Sequence, residues 1–150
     1  MAMTKEAIGK LLQKDGIGTL VLNGKDGYPV AVPLGFTYED GKVYVMAGVY
    51  GKQLLSSNSR VTFNVSANTL GDACWVSISG IAKLTKQKGR ERVHEIHLHS
   101  GLSEAEVDKW MEVISDPEPE LIEIEPEYIR SFQMEAPSFV RRSPVSTWLS

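Results

Sequence analysis

The sequence predicts a mainly β protein, organised as a small antiparallel barrel with helices at its side. Residues 19–47 contain three β-rich runs joined by the turn signals NGKDG and EDG. Both connections are too short to hold the crossover helix that parallel strands require. Two further runs of alternating apolar and polar residues follow at 60–67 and 74–86, and the longer helical patterns come after them.

Composition narrows the class of protein. The 150 residues are expected to form one domain covering positions 1–150, with 42% hydrophobic and 23% charged residues, as is typical of globular proteins. A net charge of -3 argues against a nucleic-acid-binding protein, which usually has a basic face. The chain has no apolar run of roughly 20 residues and no apolar signal core at its N-terminus, so no membrane span or secretion is expected. With Cys74 as its single cysteine, the chain is predicted to be cytoplasmic.

The first half of the chain is predicted to contain short helices and four strands. Thr4 can cap a helix over residues 4–14, because Ile8, Leu11 and Leu12 recur at helical spacing. In the strand that follows the EDG turn, Tyr44 is expected on the face opposite Val43. The predicted strands lie at 19–23, 28–38, 42–47 and 60–67, with one helical turn at 51–58.

The second half begins with a long strand at 74–86, in which Gly80 marks a bend or bulge. A helix is predicted over 88–100, and Ser103 and Glu106 form a capping box for the next helix. Residues 121–132 then form a final strand. The acidic run DPEPELIEIEPE, at 116–127, is interpreted as a solvated loop and strand edge.

Pro33 lies in the middle of the second strand, where its missing backbone N–H cannot join a sheet ladder. One interpretation is an edge strand or bulge, and the other is a strand interrupted where a flat ligand lies across it. The segment AGVYGK that follows the third strand favours a ligand. Gly48 and Gly51 allow close backbone approach, and Lys52 would bring a cation to the start of a helix, where anions bind.

The stretch from Asp26 to Val65, DGYPVAVPLGFTYEDGKVYVMAGVYGKQLLSSNSRVTFNV, resembles the pyridoxamine 5'-phosphate oxidase-like flavin-binding split barrels. Within them it is most similar to the branch that includes the nitroimidazole-resistance proteins. The likeness extends over roughly residues 17 to 85. The shared elements are Asp26-Gly27, Val30 to Pro33, Asp40 to Tyr44, Lys52, and Ser57 to Val61.

This resemblance implies a six-stranded antiparallel split barrel that binds FMN at a homodimer interface. The backbone of the second strand would lie against the flavin ring, the segment after the third strand along the ribityl chain, and Lys52 at the phosphate. Beside the resemblance, Trp75 could stack on a flavin or belong to a core or interface, and Ser77 could line the site from the other subunit or face solvent. With these two, the candidate cofactor-binding residues are Val32, Pro33, Leu34, Met46, Ala47, Gly48, Val49, Lys52, Trp75 and Ser77.

The implied activity is an FMN-dependent oxidoreductase that passes electrons from a reduced nicotinamide to a small acceptor. A non-catalytic flavin or haem carrier and a deazaflavin-dependent reductase are the alternatives on the same fold. Met46 replaces a histidine of the nitroimidazole-resistance branch, so nitroimidazole reduction by that route is not expected. Catalytic acid–base or nucleophilic residues do not emerge from the sequence, as is usual where a cofactor carries the redox chemistry.

Two further features remain as candidates. His94, His97 and His99 form the only cluster of metal-ligand types, but their spacing differs from the zinc-protease motif, and a solvated helix face is the favoured interpretation. No metal site is predicted. The aromatic residues Phe139 and Trp148 in the tail 136–150, together with the strand of Trp75, are expected to be buried in a two-fold dimer.

Overall fold

The computed structural model describes residues 1–14, 16–69 and 72–135. Its helices are α1 (Lys5–Gln13), α2 (Val49–Ser57), α3 (Gly89–His99) and α4 (Glu104–Val113). Its strands are β1 (Ile17–Asn23), β2 (Pro29–Glu39), β3 (Lys42–Met46), β4 (Arg60–Thr69), β5 (Asp72–Thr85) and β6 (Leu121–Glu135). The strands close into one barrel in the order β1-β2-β3-β6-β5-β4, and every pairing is antiparallel. The predicted class, a six-stranded antiparallel barrel with flanking helices, is confirmed.

Differences from the predicted elements lie at their ends. The hairpin between β4 and β5 is longer than expected, because β4 continues to Thr69 and β5 already begins at Asp72. β6 continues to Glu135, which lies opposite Asp72. α2 starts at Val49 instead of Gly51. In the strands, pairing with a neighbour satisfies backbone N–H and C=O groups, and it therefore extends them beyond what the side-chain pattern alone indicates.

The barrel interior is filled by the inward-facing side chains of the strands. Phe36 of β2 and Phe63 of β4 are fully buried, and their rings meet edge to face with centroids 5.0 Å apart. α1 adds Leu11 and Leu12 to the same core. As predicted, Thr4 caps this helix. The N-terminal helix therefore shares one core with β2 and β4.

The bulge predicted at Gly80 is confirmed by a shift of the β5–β6 register between Ser79 and Gly80. A Cβ atom at Gly80 would overlap the carbonyl oxygen of Glu125. Only glycine allows β6 to approach so closely at this point. The bulge lets the long β5 curve around the barrel.

α3 and α4 cover one side of the barrel. α3 lies against β2 and β3, and it comes so close to β2 that a Cβ at Gly35 would be 2.6 Å from Ser100 Oγ. The capping box predicted at the start of α4 is confirmed, with both Ser103 and Glu106 in their reciprocal roles. Because α3 covers the outer side of β3, Tyr44 is buried, although it lies on the opposite face of the strand from the barrel core.

Some expectations fall outside these ranges. The tail 136–150, with Phe139 and Trp148, lies beyond the described residues, and so do the side chains of Val49 and Tyr50. Within the described ranges, none of the helices has the length and apolar character needed to traverse a bilayer. The cytoplasmic location stays a prediction.

Candidate functional site

β2 changes its partner half-way along its length. It pairs with β1 from Pro29 to Gly35 and with β3 from Phe36 to Glu39. Over residues 29–35, the side of β2 that faces away from β1 has no strand neighbour in the described part of the chain. We call this unpaired side the β2 edge. Its free backbone groups must hydrogen-bond to water or to a ligand.

The β2 edge contains three of the predicted residues. Pro33 is exposed, while Val32 and Leu34 are partly buried and Leu34 packs against the core. Pro33 lies opposite Thr19 in a continuous ladder with β1, so the predicted interruption of the strand at Pro33 is wrong. The strand tolerates the missing N–H because its other side is unpaired. The edge-strand interpretation of the proline therefore describes the structure.

The chain leaves the sheet just beyond the β2 edge. The β2–β3 ladder ends with Phe36 opposite Val45, and the next residue, Met46, is 39% exposed. Ala47 and Gly48 then lead into α2, and a Cβ at Gly48 would meet no atom within 4 Å. Met46 and Gly48 are therefore both open to approach, one at the end of β3 and one just before α2.

Lys52 lies at the end of the first turn of α2. Its backbone N–H donates to the carbonyl oxygen of Gly48 at 3.0 Å, so the N–H groups before it have no partner within the helix. Such groups and the helix dipole favour an anion. The Lys52 ammonium already has an anionic partner, since its Nζ is 2.7 Å from Oε1 of Glu120.

Glu120 is a site residue that the sequence analysis missed. It immediately precedes β6, and its carbonyl oxygen accepts from the backbone N–H of Ala47 at 3.4 Å. Because Met46 pairs with Leu121, the adjacent Glu120 lies beside α2. The acidic run offered no signal that would single out this carboxylate, because contact with Lys52 depends on the pairing of β3 with β6.

Trp75 and Ser77 lie elsewhere on the molecule. Both are on the outer face of β5, three places from β2 in the closed order of strands, and therefore across the barrel from the β2 edge. They line a shallow groove of about 490 Å³ together with Asn64 and Cys74. Trp75 stacks on Phe132, with ring centroids 6.3 Å apart. Within one chain, eight of the ten predicted residues therefore lie on the side of the barrel formed by β2, the end of β3 and the start of α2. The other two, Trp75 and Ser77, lie on the opposite side.

The three histidines do not converge. The Nδ1 of His97 is 2.8 Å from the carbonyl oxygen of Val93, and that of His99 is 2.7 Å from the carbonyl oxygen of Phe36. All three side chains are partly buried, so the predicted solvated helix face is wrong. No group of three metal-ligating residues that could hold an ion occurs in the ranges the structure describes. Of the three, His99 links α3 to β2, and His97 stacks on Trp110 of α4 with ring centroids 6.0 Å apart.

A buried polar cluster lies between α3 and the sheet. Tyr44 donates to Oε1 of Glu123 at 2.9 Å, and Lys83 lies 3.0 Å from Oε2 as an ion pair without good hydrogen-bond alignment. The guanidinium of Arg92 covers the Tyr44 ring at 3.9 Å. Glu123 is only 5% exposed, so the solvated strand edge predicted for this acidic run is wrong at this residue.

Two groups of this cluster, Tyr44 and Glu123, have shifted pKa values. Burial, and then the hydrogen bond to Glu123, raises the pKa of Tyr44 to about 12. For Glu123, burial alone would raise the pKa, but the contacts with Lys83 and Tyr44 and the charge of Lys42 outweigh it and hold the pKa below its ordinary value. The cluster links α3 to β3 through Arg92 and Tyr44, and it is separate from the β2 edge.

Comparisons with known proteins concern the fold. No protein-family model matches the chain, and neither does any curated protein. Among solved structures, a candidate 5-nitroimidazole antibiotic resistance protein from Bacteroides thetaiotaomicron has a TM-score of 0.68 and 15% identity over 92% of this chain and 90% of that one. A FAD-binding protein from Mesorhizobium loti has a TM-score of 0.62 and 19% identity over 91% and 98%.

A candidate pyridoxamine 5'-phosphate oxidase from Listeria innocua has a TM-score of 0.66 and 22% identity over 85% of this chain and 96% of that one. These likenesses extend over almost the whole of each chain, well beyond the stretch that carried the resemblance in sequence. At identities of 15–22%, these likenesses are evidence for the fold alone. The chain thus has the six-stranded barrel fold shared by these pyridoxamine 5'-phosphate oxidase-like, flavin-binding and nitroimidazole-resistance proteins, as the sequence predicted.

Proposed function

We propose that this protein binds FMN along the β2 edge and passes electrons from a reduced nicotinamide to a small acceptor. The observation that carries the proposal is the β2 edge, an unpaired stretch of strand that is followed by the exposed Met46 and Gly48 and by a helix N-terminus. FMN, when bound, supplies the redox chemistry. The shared fold with a FAD-binding protein supports a flavin as the cofactor.

The proposed roles follow from what each residue offers. The backbone groups around Val32 and Leu34 would hydrogen-bond to the polar edge of the flavin ring. Met46 would pack against the ring or the ribityl chain, because a thioether gives soft contacts but neither donates nor accepts a proton at neutral pH. Ala47, Gly48 and Val49 would follow the ribityl chain, and Lys52 would meet the phosphate. This set contains no general acid, so protons would come from solvent or substrate.

The absorption spectrum of the purified protein tests the proposal. We expect flavin bands in the protein as isolated or after addition of FMN, and anaerobic loss of these bands on addition of NADH or NADPH. Bands of bound flavin that neither nicotinamide bleaches would favour the non-catalytic carrier. A Soret band would indicate haem. A spectral change of an added deazaflavin, without one for FMN, would indicate a deazaflavin cofactor. Absence of flavin binding would overturn the proposal.

We further propose that two copies of the chain form each site, which would bring Trp75 and Ser77 of one copy to the β2 edge of the other. The outer face of β5 and β6 carries exposed apolar side chains, including Trp75 at 38% and Phe132 at 40% exposure. A two-fold dimer that covers this face would bury them.

Light scattering at micromolar concentration is expected to give the mass of a dimer. Trp75→Arg should yield monomers and weaken FMN binding, because a charge in a buried interface is costly. Trp110→Arg is the matched control, since this tryptophan is exposed on α4, away from the proposed interface. A monomeric wild type, or equal effects of the two substitutions, would contradict the proposed interface.

A further inference from the structure

We infer that Glu120 determines how strongly the site distinguishes a flavin that carries a phosphate from one that does not. This inference rests on the proposed flavin site. The Glu120 carboxylate forms an ion pair with the ammonium of Lys52, a cation predicted for the phosphate, at a distance of 2.7 Å. A phosphate can bind Lys52 only by displacing this carboxylate or by sharing the ammonium with it.

Backbone hydrogen bonds fix the positions of both residues of the ion pair. Lys52 is fixed by the first hydrogen bond of α2, to the carbonyl oxygen of Gly48. Glu120 is fixed by the contact of its carbonyl oxygen with Ala47 and by the start of the β3–β6 ladder, where Met46 lies opposite Leu121. The two side chains are partly buried, with 39% and 25% of their surfaces exposed. They therefore meet without rearrangement of either element, and water screens their attraction only in part.

The charge of Glu120 disfavours a phosphate beside Lys52. The segment AGVYGKQ, residues 47–53, contains one cation, whereas the segment DPEPE, residues 116–120, contains three carboxylates. Glu120 is the carboxylate in contact with Lys52. A dianionic phosphate would lose part of the attraction to Lys52 and would also be repelled by Glu120. Riboflavin, which ends in a hydroxyl group, leaves the ion pair intact.

The consequence is a weak preference for FMN over riboflavin in the wild-type protein. Removal of the Glu120 charge should release Lys52 for a charge-assisted hydrogen bond to the phosphate. Glu120→Gln keeps the size of the side chain and the backbone hydrogen bond from Ala47. We expect it to tighten FMN binding about tenfold or more and to change riboflavin binding by less than about twofold.

The test is fluorescence titration of FMN and riboflavin with wild type and variants, at fixed ionic strength. Glu118→Gln is the matched control, because it removes a carboxylate from the same segment that has no ion pair with a described residue. It should leave the ratio of the two dissociation constants unchanged. In the double variant Lys52→Met/Glu120→Gln, the gain in FMN affinity should disappear, since the released ammonium is absent.

The outcomes separate the two proposals. If both flavins bind and Glu120→Gln leaves the FMN-to-riboflavin ratio unchanged, the role of Glu120 is overturned while flavin binding stands. If the double variant keeps the gain, Glu120 acts by general repulsion and the assigned competition for Lys52 is wrong. If neither flavin binds to any folded variant, both proposals fail. Circular dichroism and thermal unfolding establish that each variant is folded.

Discussion

Phe36→Ala is expected to lower the free energy of unfolding by about 3–5 kcal/mol. The Phe36 ring is completely buried, and it contacts the rings of Phe63 and His99 edge to face, with centroids 5.0 and 4.6 Å away. Alanine would leave a cavity at the point where β2 changes from pairing with β1 to pairing with β3. The loss should appear in urea denaturation as a lower midpoint with an unchanged slope.

The matched control is Tyr28→Ala, which also removes an aromatic ring. Tyr28 is 74% exposed in the β1–β2 hairpin, so its removal should change the free energy of unfolding by less than about 0.5 kcal/mol. A loss below about 1 kcal/mol for Phe36→Ala would show that Phe36 does not occupy the core position described here.

Tyr44→Phe is expected to lower the free energy of unfolding at pH 7 by about 1.5–3 kcal/mol, because it removes a buried hydrogen bond to a charged carboxylate. The hydroxyl donates to Glu123 at 2.9 Å. The size of the loss should also depend on pH. Burial and the hydrogen bond to Glu123 raise the pKa of Tyr44 to about 12, while a tyrosine in the unfolded chain titrates near 10.

The direction of this dependence follows from proton linkage. The folded protein holds the phenol proton more tightly than the unfolded chain, so the contribution of Tyr44 to stability is fully present below pH 10. It is lost as the pH rises from about 10 to about 12. The advantage of wild type over Tyr44→Phe should therefore shrink across this window, as measured by urea denaturation of both proteins at a series of pH values.

Comparison of the two proteins cancels the titration of other groups that they share. Tyr128→Phe is the control, because this side chain is half exposed on the outer face of β6 and should contribute less than about 0.5 kcal/mol at neutral pH. A difference between wild type and Tyr44→Phe that stays constant through the window would contradict the buried environment of the hydroxyl.

Features that depend on neighbours in the chain were predictable from the sequence. Thr4 caps α1 and Ser103 caps α4 because a cap bonds to backbone groups two or three residues away. The β-rich runs could be assigned because side chains alternate between the two faces of a strand. Gly80 could be assigned to a bulge because glycine interrupts a long strand pattern. The β2 edge was anticipated as one of two interpretations of Pro33, since proline lacks the N–H that a paired strand needs.

Tertiary structure alone decided which distant groups meet. Closure of the barrel brings Glu120 to Lys52 and Glu123 to Tyr44, although the local sequence of the acidic run is equally compatible with solvated carboxylates. The same closure puts Trp75 and Ser77 across the barrel from the β2 edge. Strand alternation determines which face a residue occupies, but it leaves the order of strands and their register open. Many pairings satisfy the same pattern, and the one that closes the barrel is selected by packing of the whole core.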